Sequence, residues 1–169
     1  MTLIDRAGYR TEDFTRIAAA GVSTVEHPLV SYADLDAALI AANDQIGVEL
    51  PNTAKAQDIA PQFARLSLIA VSFPSFADGR GFSLARRLRR SGYTGRLRAV
   101  GPLIADQLAY ALACGFDEIE LPDASAARQP ESQWQKAAVT ISATYQRGYD
   151  NGGNILNQRR AARKAASHD

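Results

Sequence analysis

The chain has little of the side-chain chemistry on which metal centres and disulfides depend. Its 169 residues include one cysteine, Cys114, and two histidines, His27 and His168, which stand near opposite ends. These ligands are too few for an iron–sulfur cluster or an ordinary zinc site, and one cysteine forms no intrachain disulfide. We therefore expect a protein without its own metal centre or cofactor, in a reducing compartment such as the cytoplasm.

Long apolar runs, strong charge and common catalytic motifs are also missing. No run of about 18 uncharged apolar residues is present, and the N-terminus lacks the basic-then-apolar order of a signal peptide. The formal net charge is +1, which argues against a protein that grips nucleic acid by its phosphates. No P-loop, His-Glu-x-x-His or Gly-x-Ser-x-Gly pattern occurs. We expect neither membrane nor nucleic acid as a partner, and the sequence leaves open whether the protein is an enzyme.

The composition that remains is that of a folded domain, with 46% hydrophobic and 22% charged residues. Its length suits one domain with a core of its own. We predict a single α/β domain over residues 1–149, in which residues 1–30 form an irregular arm with one possible strand. Residues 150–169 form a basic tail, predicted to be disordered or docked on a partner.

Strand and helix patterns alternate through the middle of the chain. Short apolar runs closed by Pro or Gly predict strands at 46–50, 66–73, 97–101 and 116–121. Helical spacing predicts helices at 32–43, 53–64, 83–91, 103–114 and 134–149. This alternation is typical of an α/β fold with a mainly parallel sheet of four to five strands. We expect helices on both faces, as in a three-layer sandwich, with a partial barrel as the alternative.

The loop at 74–82 is the first candidate site, because open α/β sheets bind ligands at the carboxyl ends of their strands. Gly79 and Gly81 flank Arg80 just before the predicted helix start at Ser83, where free N–H groups and the helix dipole favour an anion. A phosphate, sulfate or carboxylate would meet amides, a hydroxyl and a guanidinium there. An ordinary turn at Asp78 and an ordinary helix cap explain the same residues.

The corner that follows the next strand should reach the same edge of the sheet. Asp106 and Gln107 lie just after it, and Tyr110 shares a helix face with Asp106. A structural ion pair between Asp106 and Arg80 or Arg98 is the alternative. The complete anion-binding candidate comprises Asp78, Gly79, Arg80, Gly81, Ser83, Arg98, Asp106, Gln107 and Tyr110.

Residues 79–98 contain seven arginines and no acidic residue. The run predicts either a docking face for an acidic partner or a funnel for an anionic substrate. The alternative is a solvated helix face whose charges are balanced by acidic residues one strand later, and pairing of that kind inside the fold would weaken the docking hypothesis. The partner-docking candidate comprises Arg86, Arg87, Arg89 and Arg90.

Several short segments between residues 73 and 117 carry a resemblance to a known family. They are Phe-Pro-Ser-Phe-Ala-Asp-Gly-Arg-Gly-Phe-Ser at 73–83, Ala-Arg at 85–86, Leu-Arg at 88–89, Gly-Arg-Leu-Arg-Ala-Val-Gly at 95–101, Asp-Gln-Leu at 106–108 and Cys-Gly-Phe-Asp at 114–117. Together they resemble the bacterial domain of unknown function 934 family. The chain departs from the family pattern at Ala77, where a threonine is usual, and at Pro102, where a polar residue is usual.

The resemblance implies a pathway and no mechanism. Family members are commonly encoded beside sulfite reductase in sulfate assimilation operons, and some are labelled oxidoreductases. The leading hypothesis is an accessory protein of this pathway that contacts sulfite reductase or another of its proteins. One alternative is an enzyme or binding module for a small sulfur-containing or phosphorylated anion. A second is a structural domain that forms homo-oligomers.

Overall fold

The computed structural model describes residues 1–139. The predicted basic tail at 150–169 and the later part of the helix predicted at 134–149 lie outside the described residues. Within residues 1–139, eight strands form one sheet. They are β1 (Thr2–Asp5), β2 (Gly8–Arg10), β3 (Thr15–Arg16), β4 (Pro28–Ser31), β5 (Ile46–Pro51), β6 (Leu66–Ser72), β7 (Arg96–Val100) and β8 (Glu118–Leu121).

The strands are arranged in the order β2-β1-β8-β7-β6-β5-β4-β3. Neighbours from β3 to β8 run parallel, whereas β1 is antiparallel to β8 and β2 is antiparallel to β1. The sheet is therefore mixed and larger than the four to five strands expected. The additional strands come from the N-terminal 31 residues, where Pro28 begins β4; as the first residue of a strand it loses no ladder hydrogen bond.

Five helices of the described residues follow the predicted order with shifted boundaries, and a short sixth at Asp123–Ala126 was not predicted. They are α1 (Leu35–Ala41), α2 (Ala56–Ile59), α3 (Arg80–Arg90), α4 (Leu108–Ala113), α5 (Asp123–Ala126) and α6 (Glu131–Val139). Short 3-10 segments accompany them at Ala19–Thr24, Tyr32–Asp34, Ala60–Arg65 and Ala105–Gln107. α3 begins at Arg80 rather than at Ser83, and α4 begins at Leu108 rather than at 103, after a 3-10 segment.

The two faces of the sheet differ in chemistry. One face carries Ile4, Val48, Ile69, Leu97 and Ile119, which share the main apolar core with side chains from the helices. The opposite face holds a small apolar cluster to which no helix contributes: Phe14, Leu29, Leu68, Ala70 and Val100. Within residues 1–139, the helices therefore pack on one face of the sheet only. The three-layer sandwich is wrong, and the partial-barrel alternative fits.

Contacts between distant strands show how strongly the sheet curls. Arg16 on β3 and Glu120 on β8 are five strand positions apart, which in a flat sheet is roughly 24 Å. Their side chains nevertheless meet, with 2.7 Å between Arg16 Nη1 and Glu120 Oε1. The sheet is thus a half-barrel, with the helices outside and the charged side chains on its concave face.

Candidate functional site

Asp78 and Arg80 form a closed pair at the start of α3. The Asp78 carboxylate accepts hydrogen bonds from Arg80 Nε at 2.9 Å, from Nη2 at 2.6 Å and from the Arg80 backbone N–H at 3.2 Å. These bonds hold the pKa of Asp78 far below its usual range. The protein's own carboxylate thus occupies the helix terminus where the sequence predicts a bound anion.

The small residues of this loop have different roles. Gly81 lies in the first turn of α3 against the ring of Phe73, which a Cβ atom at this position would overlap. Gly79 precedes the helix, and a Cβ there would meet open space. Ser83 is exposed within the helix and does not cap it, because the helix begins three residues earlier.

Gln107 joins the loop after β6 to the corner after β7. Its Nε2 donates to the Phe76 carbonyl oxygen at 2.8 Å, and its Oε1 accepts from the Ile104 backbone N–H at 3.2 Å. Tyr110 lies beside this corner with its ring edge-on to Phe82, at 4.9 Å between centroids. The structure therefore places Gln107 and Tyr110 beside the loop that holds Asp78. Asp106 is exposed at the same corner.

Arg98 lies elsewhere, in the middle of the concave face, and has no exposed surface. Its guanidinium donates to Glu118 at 2.8 Å, to Glu120 at 2.8 Å and to Glu12 at 2.6 Å and 3.0 Å. Burial lowers the pKa of Arg98, but the bonds to Glu12 and the charge of Glu118 outweigh burial and raise it. The structure does not bring Arg98 to the edge where Asp78 lies.

Residues 11–14, which we call the strap, join β2 to β3 across the open side of the half-barrel. Glu12 fastens the strap, because its carboxylate accepts from Arg98 and also from the backbone N–H groups of Asp13 and Phe14. Asp13 pairs with Arg96 at 2.6 Å. Phe14 fills the apolar part of the concave face, with the Arg96 guanidinium 4.9 Å above its ring.

Sequence reasoning missed the strap and the charge network below it. A signal was present in the spacing. Arg96 and Arg98 are two residues apart on one strand, and Glu118 and Glu120 are two residues apart on the next, so each pair lies on one face of the sheet. The network contains more carboxylates than guanidiniums, so a free anion is disfavoured there. Its members are Asp5, Glu12, Asp13, Glu49, Glu118 and Glu120 with Arg10, Arg16, Arg96 and Arg98.

At the carboxyl end of the half-barrel, where barrel enzymes place their catalytic groups, the concave side chains bind one another. Ser72 donates to Glu49 at 2.8 Å, and Arg16 lies between Glu49 at 3.0 Å and Glu120. Burial raises the pKa of Glu120, but its bonds to Arg16 and Arg98 outweigh burial and lower it. Glu120 is thus held ionised in ion pairs, which makes it a weak general base.

The arginines of α3 separate into tied and exposed side chains. Arg89 donates to the carbonyl oxygens of Gly115 at 2.9 Å and Gly95 at 2.7 Å, and to the Asp117 carboxylate at 2.7 Å. It therefore fastens two loops of its own chain. Arg86 and Arg87 are exposed, and Arg86 lies 5.4 Å above the Tyr110 ring. Arg90 is also exposed, but it takes part in an interaction within the protein.

Three further findings concern metal binding, the thiol and membrane insertion. In residues 1–139, no three His, Cys, Asp or Glu side chains are grouped so that they could hold a metal ion. Cys114 is buried, and burial raises the pKa of its thiol, which keeps it protonated. No helix in this part of the chain has both the length and the apolarity needed to span a membrane.

The fold and these side chains define an α/β half-barrel whose concave face is filled by internal ion pairs and a small apolar cluster. Exposed aromatic side chains lie at its carboxyl edge, beside the exposed arginines of α3. Residues 47–155 match the model of the family described as "Bacterial protein of unknown function (DUF934)", and the chain belongs to that family. The match confirms the resemblance seen in the sequence. Neither a curated protein nor a solved structure matches the chain.

Proposed function

We propose that this protein is a cytoplasmic accessory protein of assimilatory sulfate and sulfite reduction that acts through protein contacts. Arg86 and Arg87 on α3 bind an acidic surface of sulfite reductase or of another protein of the pathway. The pathway named in this proposal is inferred from the genes that are commonly found beside those of the family which the sequence resembles.

The observation that carries the proposal is how the arginine run divides. Four of its members bind carboxylates of their own chain: Arg80, Arg89, Arg96 and Arg98. Arg86 and Arg87 instead stand exposed and adjacent on one helix. Exposed cations of this kind steer an acidic partner and accelerate its association. This pairing weakens the docking hypothesis for the arginine run as a whole, and the proposal therefore rests on Arg86 and Arg87.

Titration of sulfite reductase with the full chain tests the proposal. The double variant Arg86→Glu, Arg87→Glu should weaken binding by at least about tenfold, which is about 1.4 kcal/mol. Wild-type binding should also weaken as salt is raised, because exposed charges are screened. Arg6→Glu is the matched control, since Arg6 is exposed in the turn between β1 and β2. Binding that survives the double variant unchanged would remove the docking face.

The alternative anion site at Asp78–Ser83 stays a prediction with a sharper form. Because Asp78 already binds Arg80 through both side chain and backbone, an added anion must displace that carboxylate. Thermal-shift measurements with sulfate, phosphate, sulfite and adenine nucleotides test this. Stabilisation of the wild type that Arg80→Ala abolishes supports the site, and equal shifts in both proteins exclude it.

A further inference from the structure

Three large apolar side chains are exposed together at the carboxyl edge of the sheet. Phe76 is 54% exposed, Tyr110 44% and Ile104 37%. Phe76 lies in the loop after β6, Tyr110 on α4 and Ile104 in the corner after β7. We call these three side chains the aromatic patch. Gln107 joins the loop after β6 to the corner after β7 through its bonds to Phe76 and Ile104. Aromatic side chains clustered on a surface are typical of protein interfaces.

The side chains of the patch are held in place from below. Phe76 lies at the tip of a turn that is closed by bonds from the backbone N–H groups of Ala77 and Asp78 to Ser75. Its carbonyl oxygen is bound by Gln107, so the loop is restrained on both sides. Tyr110 rests on Phe82 and under the Arg86 guanidinium. A surface that is already ordered loses less entropy when a partner binds.

The charges beside the patch indicate which partner it fits. Arg86 reaches the patch directly through Tyr110, and Arg87 follows it on the same helix. Arg80 is already neutralised by Asp78. We propose that the aromatic patch anchors an acidic amphipathic segment of a partner protein, whose apolar side chains contact Phe76 and Tyr110 and whose carboxylates meet Arg86 and Arg87. This inference rests on the proposed function for the role of the two arginines.

A second copy of the chain fits this surface less well. In a two-fold interface centred on the patch, residues near the axis face their own equivalents, so that Arg86, which lies over Tyr110, and Arg87 beside it come close to those of the other copy. Like charges brought together across an interface oppose association. An acidic segment meets the same arginines with opposite charge.

A labelled peptide of about four helical turns, with Leu and Phe on one face and Glu on the other, is the probe for the full chain. Phe76→Ser should weaken its binding by about tenfold. Tyr110→Ser should act in the same direction, and Phe76→Ser remains the decisive variant because Tyr110 also packs on Phe82. Ile40→Ser is the matched control, because Ile40 is 88% exposed and lies on α1. A peptide with Lys in place of Glu should not bind.

The outcomes separate this inference from the proposed function. If Arg86→Glu, Arg87→Glu weakens binding of both sulfite reductase and the peptide but Phe76→Ser changes neither, the docking function stands and the patch is excluded. If Phe76→Ser acts and the charge variant does not, the acidic segment is excluded and the arginine docking falls with it. Failure of the wild type to bind the peptide overturns the inference. A mass by light scattering that halves in Phe76→Ser would overturn it too, since a second copy would then be the occupant.

Discussion

Arg98 has no exposed surface and binds Glu118 and Glu120 on the neighbouring strand and Glu12 on the strap. A buried guanidinium surrounded by carboxylates is costly to remove, because its partners keep their charge without it. Asp117 and Arg89 make a comparable pair near the surface, where water screens the interaction. Arginines of one short run thus differ in energetic weight according to the carboxylates they meet.

We expect Arg98→Met to lower the free energy of unfolding by about 3 kcal/mol or more, because Glu118 and Glu120 lose the cation between them. Urea unfolding followed by circular dichroism measures the loss. Arg6→Met, at an exposed position, should stay within about 0.5 kcal/mol of wild type. A loss for Arg98→Met as small as that of the control would contradict a structural role for the network.

Gly101 and Gly79 predict opposite responses to the same substitution. Gly101 has φ 144°, and a Cβ there would overlap the Phe73 carbonyl oxygen. We expect Gly101→Ala to lower the free energy of unfolding by about 2 kcal/mol or more. Gly79 has φ −78° and open space around it, so Gly79→Ala should be neutral or stabilise by up to about 1 kcal/mol. Equal melting temperatures for both variants would show that the corner after β7 relaxes freely.

Among the elements, the strap is held by pairs between its carboxylates and arginines of β7. Burial raises the pKa of Asp13, but the hydrogen bond and charge of Arg96 outweigh burial and lower it. A carboxyl whose pKa is lower in the folded protein than in the unfolded one adds stability above its ordinary value, and that stability is lost as the pH falls through the folded value. Glu120 behaves in the same way. The strap and the carboxyl end of the half-barrel should therefore loosen in acid.

The free energy of unfolding should decrease as the pH falls from about 5 to 3, the range in which carboxyl groups take up protons. Asp13→Asn should be less stable than wild type at pH 7 and should lose less between these two pH values. Urea midpoints measured at several pH values test both statements, with Asp36→Asn on the exposed side of α1 as control. Parallel pH profiles for wild type and Asp13→Asn would contradict the ion pair to Arg96.

The start of α3 shows how a packing contact moves a helix boundary. Gly-Arg-Gly reads as loop, because glycine is unfavourable inside helices. The first turn is helical nevertheless, since Gly81 allows the helix to approach Phe73 and Asp78 binds the backbone N–H of Arg80. Both contacts fix the end of the loop in which Phe76 is exposed. The position of Phe76 within the patch therefore depends on the way α3 begins.

For the whole molecule, the half-barrel has a stable centre and weak edges. β5, β6 and β7 have a neighbour on each side, whereas β2 and β3 end the sheet with three and two residues. Local opening needs less energy where fewer ladder bonds and apolar contacts must be broken.

Amide hydrogen exchange should accordingly be slowest in β5, β6 and β7 and fastest in β2 and β3. Arg98→Met should accelerate exchange in the strap and in β8 before it affects β5, because Glu12 and Glu120 bind Arg98 directly. Mass spectrometry of deuterium uptake by peptic fragments resolves these elements. Uniform exchange across the sheet would show that it opens as one unit.

Local patterns were sufficient for the central strands, for the order of the helices and for the family. β5, β6 and β7 are continuous apolar or alternating segments bounded by Pro or Gly, and burial of such segments depends little on which other segment covers them. The carboxyl-edge loop was likewise found from its place after a strand. The family motif at 73–83 could be recognised without a structure because it is a continuous run of residues.

Contacts between residues far apart in the chain decided the remainder. The curl of the sheet and the position of the strap depend on contacts such as the pair of Glu12 with Arg98, which are more than eighty positions apart in the chain. The local sequence pattern around either residue does not show that the two side chains meet. β3 has only two residues and pairs with β4, so its extended form depends on that neighbour more than on a pattern of its own. Which arginines of the run are tied and which are exposed depends on these long-range pairs, because a charge is held by the nearest opposite charge in space and not by its neighbours in sequence.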